Sequence, residues 1–134
     1  MTLRRKSREF ALQMLFEWDM TRQEPARVEK LFWKSARAAA STREFADQLF
    51  EGTVAQADAI DEMVGKFSEN WRLDRLAAID RNILRLAIYE LRAATAPAKV
   101  VIDEALELAK KFSSAEAPAF LNGVLDAARK SLAT

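Results

Sequence analysis

An all-α fold, a compact bundle of about seven helices, is what this sequence predicts, and three observations predict it. The composition is that of helices: three glycines and three prolines in 134 residues, with Ala, Leu, Glu, Arg and Lys abundant. Apolar residues recur at three- and four-residue steps through most of the chain instead of alternating. The third observation is the stretch from Ile79 to Arg92. At about 100° per residue its Leu, Ile and Ala side chains fan over roughly 200°, against about 100° for an ordinary surface helix. Such a helix has to be covered from at least two directions, so it is predicted to be central. A polar link at Ser68-Glu69-Asn70-Trp71 divides the bundle into two three-helix sub-bundles sharing one core, within a single domain, residues 1–134.

The first helix is read from about Ser7 to Met20, where Phe10, Ala11, Met14, Leu15 and Trp18 share one side. Phe16 and Gln13 stand off that stripe, and Arg8 falls on its inner flank. Thr21 to Glu24 is a polar break, and Pro25 suits the first position of a second helix carrying Val28, Leu31, Phe32 and Ala36. Ser41-x-x-Glu44 has the form of a capping box and is predicted to start a third helix, the longest, running to Phe67 through Phe45, Leu49, Phe50, Val54, Ile60 and Val64. Gly52 inside it implies that another backbone passes close by, since a mid-helix glycine costs about 1 kcal/mol relative to alanine. Leu73, Leu76 and Ala77 form a short turn before the central helix. After the break from Ala93 to Ala98, Val101, Ala105, Leu108, Ala109 and Phe112 mark a sixth segment as helix, not strand. Ser113 to Pro118 is a polar loop, and Phe120, Leu121, Val124, Leu125, Ala128 and Leu132 line the last helix. In that helix Gly123 is expected to permit close packing and Asn122 to make a buried hydrogen bond.

The polar residues of the central helix raise more specific expectations. Asp80, at its start, is placed to cap free N–H groups and to favour the positive end of the dipole. Glu90 interrupts the apolar arc, and a covered carboxylate requires a cation. Arg8 is the expected partner. Arg81, Arg85, Arg92, Tyr89 and Asn82 make up the remaining stripe, which reads as a solvated edge belonging either to no site or to a binding surface.

Several classes of function are excluded. Cysteine and histidine are both absent, which removes disulfides, thiol chemistry, thiolate or imidazole metal sites and histidine acid–base work. No Gly-rich phosphate loop is present. No cofactor, metal site or catalytic residue is expected. Asp103 and Glu107 are four residues apart, but Lys110 and Lys111 follow, so a solvated helix face explains them better than acid–base catalysis. No apolar run approaches membrane-spanning length, and Gln13 and Glu17 break the segment that a signal peptide would need, so a cytoplasmic location is expected.

Net charge is +1, yet Arg4, Arg5, Lys6 and Arg8 crowd together before the first acid, Glu9. Four solvated cations would give single-stranded RNA binding a log–log salt slope near −3, at about −0.7 per phosphate. A frayed, merely solvated arm is the competing reading. Phe16, an off-face aromatic beside the arm, adds a flat surface for an unstacked base. The residues by themselves reach a helical binding module, with single-stranded RNA fitting a short arm better than a major groove does.

Four stretches taken in order go further. R-R-K-S-R-E-F-A-L-Q-M-L-F-E-W from Arg4, D-R-N-I-L-R-L-A-I-Y-E-L from Asp80, V-V-I-D-E-A-L-E-L-A-K-K-F from Val100 and F-L-N-G-V-L-D from Phe120 together resemble the NusB family of bacterial transcription antitermination factors. The resemblance runs from about Arg4 to Ala128. It implies an all-helical fold of two small bundles and a non-catalytic role. It also implies joint binding, with the small-subunit ribosomal protein NusE, to the boxA element of nascent RNA within the RNA polymerase antitermination complex, favouring readthrough in ribosomal RNA operons. By matching position, Arg4, Arg5, Lys6 and Arg8 would form the RNA-binding arm, with Glu116 and Phe120 also near RNA. Arg81 and Arg85 join the RNA candidates through their place on the basic stripe. Phe16 and Asp80 would meet NusE. Phe16 stands where the family commonly has tyrosine, Asp80 where it has glutamate, and Asp103 where it has asparagine. A related helical domain occurs fused to RNA cytosine methyltransferases, but this chain lacks the cysteines and the sheet that the catalytic half needs. A protein adaptor that never touches RNA remains open, as does a homodimer, since a face that meets NusE can also pair with a second copy.

Overall fold

The computed structural model describes residues 3–68 and 75–133. Among these, seven helices follow one another: α1 (Leu3–Thr21), α2 (Pro25–Ser35), α3 (Ala40–Ala55), α4 (Ala57–Phe67), α5 (Ala78–Ala93), α6 (Ala98–Phe112) and α7 (Ala117–Leu132). The stretch expected to be central is α5, which packs against α1, α3, α4, α6 and α7. Ile83, Leu84, Leu86, Ala87 and Ile88 are all buried, each large aliphatic side chain contributing about 1.5–3 kcal/mol. One cluster continues through Met14 and Leu15 of α1, Leu49 and Phe50 of α3, Ile60 and Val64 of α4, Ala105 and Ala109 of α6, and Leu121 and Leu125 of α7. α2 lies on α1 and α3 and adds Val28 to this core, and beside it Phe10, Phe32 and Trp33 meet edge to face with centroids 4.8–5.7 Å apart.

Several boundaries differ from expectation for local physical reasons. The long third helix is two helices. It breaks at Gln56, whose backbone (φ −106°, ψ 13°) leaves the helical region. Buried positions keep helical spacing across the break through Thr53, Ala57, Ile60 and Val64, and neither Gly nor Pro marks it. As a result α4 packs with α5 and α7, in the second half of the molecule. The expected capping box is not formed: α3 starts one residue before Ser41, its N-cap is Ala39, and no side chain caps it. Asp80 is likewise not a cap; the N-cap of α5 is Ala77, and Asp80 accepts a 2.6 Å hydrogen bond from Ser113 Oγ. Asn122 and Gly123 face solvent, so neither the buried hydrogen bond nor the close packing is present. Gly52 does have a close neighbour, but it is the side-chain ring of Tyr89, which a Cβ there would overlap, and not another backbone. Leu76 is buried, whereas Leu73 and most of the link before it lie outside the described residues.

The buried acid finds its expected cation. Arg8 donates from Nε and Nη2 to the two oxygens of Glu90, both at 2.9 Å, and Thr95 Oγ1 donates to Glu90 at 2.7 Å. Both side chains are almost fully enclosed, at 5% and 2% exposure. The pair joins α1 to the last turn of α5. At the outer edge α2 and α3 bring carboxylates together instead. Burial, a hydrogen bond with Glu51 and the charges of Asp47 and Glu51 push the Glu29 carboxyl up to about 8.

Removing one partner from a buried pair costs roughly 3–5 kcal/mol, so Glu90→Gln is expected to lower unfolding free energy by about that amount in denaturant titrations. Glu29 works in the opposite sense. Its folded pKa is raised, so its contribution is complete below the unfolded value of 4.5 and is lost as pH rises towards about 8. Glu29→Gln is therefore expected to melt with the wild type near pH 4 and above it near pH 9.

Candidate nucleic-acid interface

The helix α1 begins before Ser7, so the basic arm is helical. Four cations at a helix N-terminus oppose the dipole, and carboxylates from the same helix and two others offset them. Arg5 donates from Nε and Nη2 to the two oxygens of Glu104 on α6, at 3.0 and 2.7 Å. That hydrogen-bonded pairing holds the Glu104 carboxyl below the usual carboxylate range. Lys6 lies 3.7 Å from Glu9, which also accepts from Lys111 at 2.9 Å. Arg8 is committed to Glu90, with Glu104 3.9 Å away on its other side. Arg4 is exposed and lies over the Phe45 ring, 4.3 Å from its centroid. The arm is therefore not a set of four solvated charges. Arg8 in particular has no open edge for RNA, because reaching solvent would break its buried pair.

The expected solvated arginine stripe of α5 is corrected as well. Arg85 is only 2% exposed. It donates to both oxygens of Asp61 on α4 at 2.8 and 3.0 Å and to Asn82 Oδ1 at 3.0 Å, and its Nη1 lies 3.0 Å from Asp19 on α1. Trp18 covers the guanidinium, with its ring centroid 5.7 Å from Cζ. Arg81 donates to Asp19 at 2.9 and 2.6 Å and to the Leu76 carbonyl at 3.1 Å. Burial alone would raise the Asp19 carboxyl, but hydrogen bonds from Arg81 and Arg85 outweigh it and hold the group low. Only Arg92 of the three stays exposed, bonded to Gln56 at 3.0 Å. Sequence reasoning missed Asp19, Asp61 and Glu104. Each lies on a different helix from its cation, and nothing in the local pattern pairs them.

Three of the other expected residues meet in one place. Asp80, Glu116 and Phe120, with Arg75, Leu76, Ala77, Ser114 and Ala117, line a cleft of about 340 Å³ where the starts of α5 and α7 converge. Glu116 is exposed and Phe120 half-buried, so the cleft has an acidic rim and an aromatic wall. Leu76 anchors one side in the core, and the Ser113–Asp80 bond fixes the other. Phe16 is not among the lining residues. It stands half-buried on α1, three residues before Asp19. The cleft can take a flat, partly apolar group, and the arm can meet phosphates through Arg4.

The family model described as "NusB family" matches residues 5–130. A protein of Koribacter versatilis named transcription antitermination protein NusB is 47% identical over 131 residues, covering 96% of this chain and 90% of that protein. Its namesake in Solibacter usitatus is 42% identical over 134 residues, covering 98% and 92%. Among solved structures, NusB of T. maritima superposes with a TM-score of 0.85 at 32% identity, covering 95% of this chain and 90% of that one. A chain from a complex of antitermination factors NusB and NusE with dsRNA also gives 0.85, at 29% identity and 96% and 97% coverage.

Asp19 provides a test of the enclosed arginines. Its folded pKa is depressed, so its contribution is present above the unfolded value of 3.8 and is lost as pH falls below it. Asp19→Asn is expected to be less stable than wild type by about 3 kcal/mol at pH 7, with the gap closing as pH falls below 3.8 in thermal or denaturant melts.

Proposed function

The chain belongs to the NusB family, and we propose that it is a transcription antitermination factor that binds boxA-containing single-stranded RNA jointly with NusE, the small-subunit ribosomal protein. In this reading it works in the cytoplasm, without catalysis, as one domain spanning residues 1–134. It helps the antitermination complex of elongating RNA polymerase read through terminators, notably in ribosomal RNA operons. The observation that carries the reading is the likeness, over nearly the whole chain, to proteins named for antitermination.

The geometry supports a division of parts. Arg4 and Lys6 take phosphates, because their side chains are exposed, while Arg5 beside them is engaged by Glu104. Phe120 offers a face on which an unstacked base can rest, and Glu116 on the rim accepts hydrogen bonds from base amino groups. Arg8 and Arg85 serve the surface from inside, by fixing α1 against α5. Phe16 and Asp80 form the NusE side. Asp80 is held by Ser113 at the mouth of the same cleft, so the partner and the RNA approach each other there.

The test is a titration against boxA and scrambled RNA, with and without NusE. Preferential, NusE-enhanced binding to boxA is expected, and equal binding to both RNAs under both conditions would overturn the reading. Asp80→Lys puts the wrong charge on the partner side. It is expected to weaken NusE binding in calorimetry by about tenfold, or ~1.4 kcal/mol, while RNA binding by the isolated protein persists.

A further inference from the structure

An ion ladder runs outward from the core to the surface at the arm. Glu90, buried on α5, holds Arg8; Arg8 Nη1 lies 3.9 Å from Glu104; and Glu104 holds Arg5 through a two-point contact. Exposure rises along it, from 2% at Glu90 and 5% at Arg8 to 15% at Glu104 and 41% at Arg5. The Nε–Nη2 edge of Arg5 that Glu104 occupies is the edge by which a guanidinium grips a phosphate. Glu104 is mostly enclosed and sits between two guanidiniums, so it yields Arg5 less readily than a surface carboxylate would.

The other cations at this end are similarly engaged. Lys6 and Lys111 face Glu9, and Lys110 lies 3.7 Å from Glu107. Among the described residues Arg4 is the cation of the arm with no carboxylate against it; its contact is the Phe45 ring. Glu9 carries a single charge against both Lys6 and Lys111, so Lys6, 3.7 Å away, is only partly offset, and the free protein presents RNA with Arg4 and Lys6 where the sequence offers four cations.

We infer that Glu104 is an affinity-setting residue of the RNA surface: a built-in carboxylate that occupies Arg5 in place of a phosphate and keeps RNA binding by the isolated protein weak. The inference rests on the RNA-binding reading above. A phosphate gains Arg5 only by displacing Glu104, and any partner group that draws Glu104 away releases Arg5 to the RNA. Replacing Glu104 with glutamine keeps the shape and removes the competing charge. Arg8 retains Glu90, so the buried end of the ladder survives.

The experiment is fluorescence anisotropy with a labelled single-stranded boxA RNA over a range of KCl concentrations, with thermal melts alongside. The wild type is expected to show a log–log slope near −1.4, two phosphates, where full use of Arg4, Arg5 and Lys6 would give about −2. Glu104→Gln is expected to steepen the slope by about 0.7 and tighten binding about fivefold near 0.1 M salt, the gain from one added phosphate contact. Arg5→Ala is expected to change wild-type binding by less than about twofold but to abolish the gain in the Glu104→Gln background. A wild-type slope near −2, or Glu104→Gln binding equal to or weaker than wild type, would overturn the inference and make Glu104 a residue that positions Arg5. Loss of folding in the variant leaves the wild-type slope and the Arg5→Ala comparison to decide. Absence of binding by every protein, with and without NusE, would instead overturn the RNA reading itself, and the inference with it.

Discussion

Arg85 sets a requirement that much of the structure meets. A guanidinium stays charged at any pH at which this chain folds, so a position 2% exposed can hold one only if the protein supplies carboxylates and acceptors in place of water. Asp19 comes from the end of α1, Asp61 from α4 and Asn82 from the preceding turn of α5 itself. Meeting that need fixes where three helices lie relative to one another. An aliphatic core tolerates small slides, whereas bidentate ion pairs with donor–acceptor distances near 3 Å do not. The Arg8–Glu90 pair does the same at the other end of α5, so the central helix is pinned to α1 at both ends.

The two ends differ in how they treat their acids. At the start of α5, Asp19 is enclosed and serves the interior. At its last turn, Glu90 begins a series that emerges at the surface through Glu104 and Arg5. Packing and recognition thus share side chains, and a change in the core at Glu90 reaches Arg5 through only two intervening residues. The cleft beside Asp80 and Phe120 is built differently, from apolar walls and helix starts, with charge confined to its rim.

Much of this fold was legible in the sequence, because helices advertise themselves by spacing. The central place of α5, the start of α2 at Pro25, the helix over Val100-Val101-Ile102 and the Glu90–Arg8 pair could all be read from which face each residue occupies. Spacing could not show the break at Gln56, since the buried positions on either side keep helical intervals. Nor could it show that Arg81 and Arg85 lie inside. Their side of α5 looks wet when the helix is considered alone, and it is dry because Trp18, Asp19 and Asp61 arrive from elsewhere in the chain. The cleft was partly legible: resemblance supplied Asp80, Glu116 and Phe120, but only the fold brings them together. Glu104 was hidden for the same reason as Asp61, a pairing across 99 residues that no local pattern encodes.

The bridge between α1 and α5 has a bearing on how the nascent chain matures. Asp19 and Asp61 leave the ribosome before Arg85, and until it follows they can only remain hydrated. The half formed by α1, α2 and α3 meanwhile waits with the face that α5 will cover open to solvent. Closure is then a late, long-range event. A ribosome paused before α5 leaves exposed the apolar face of α1 and α3 that this helix covers in the folded protein.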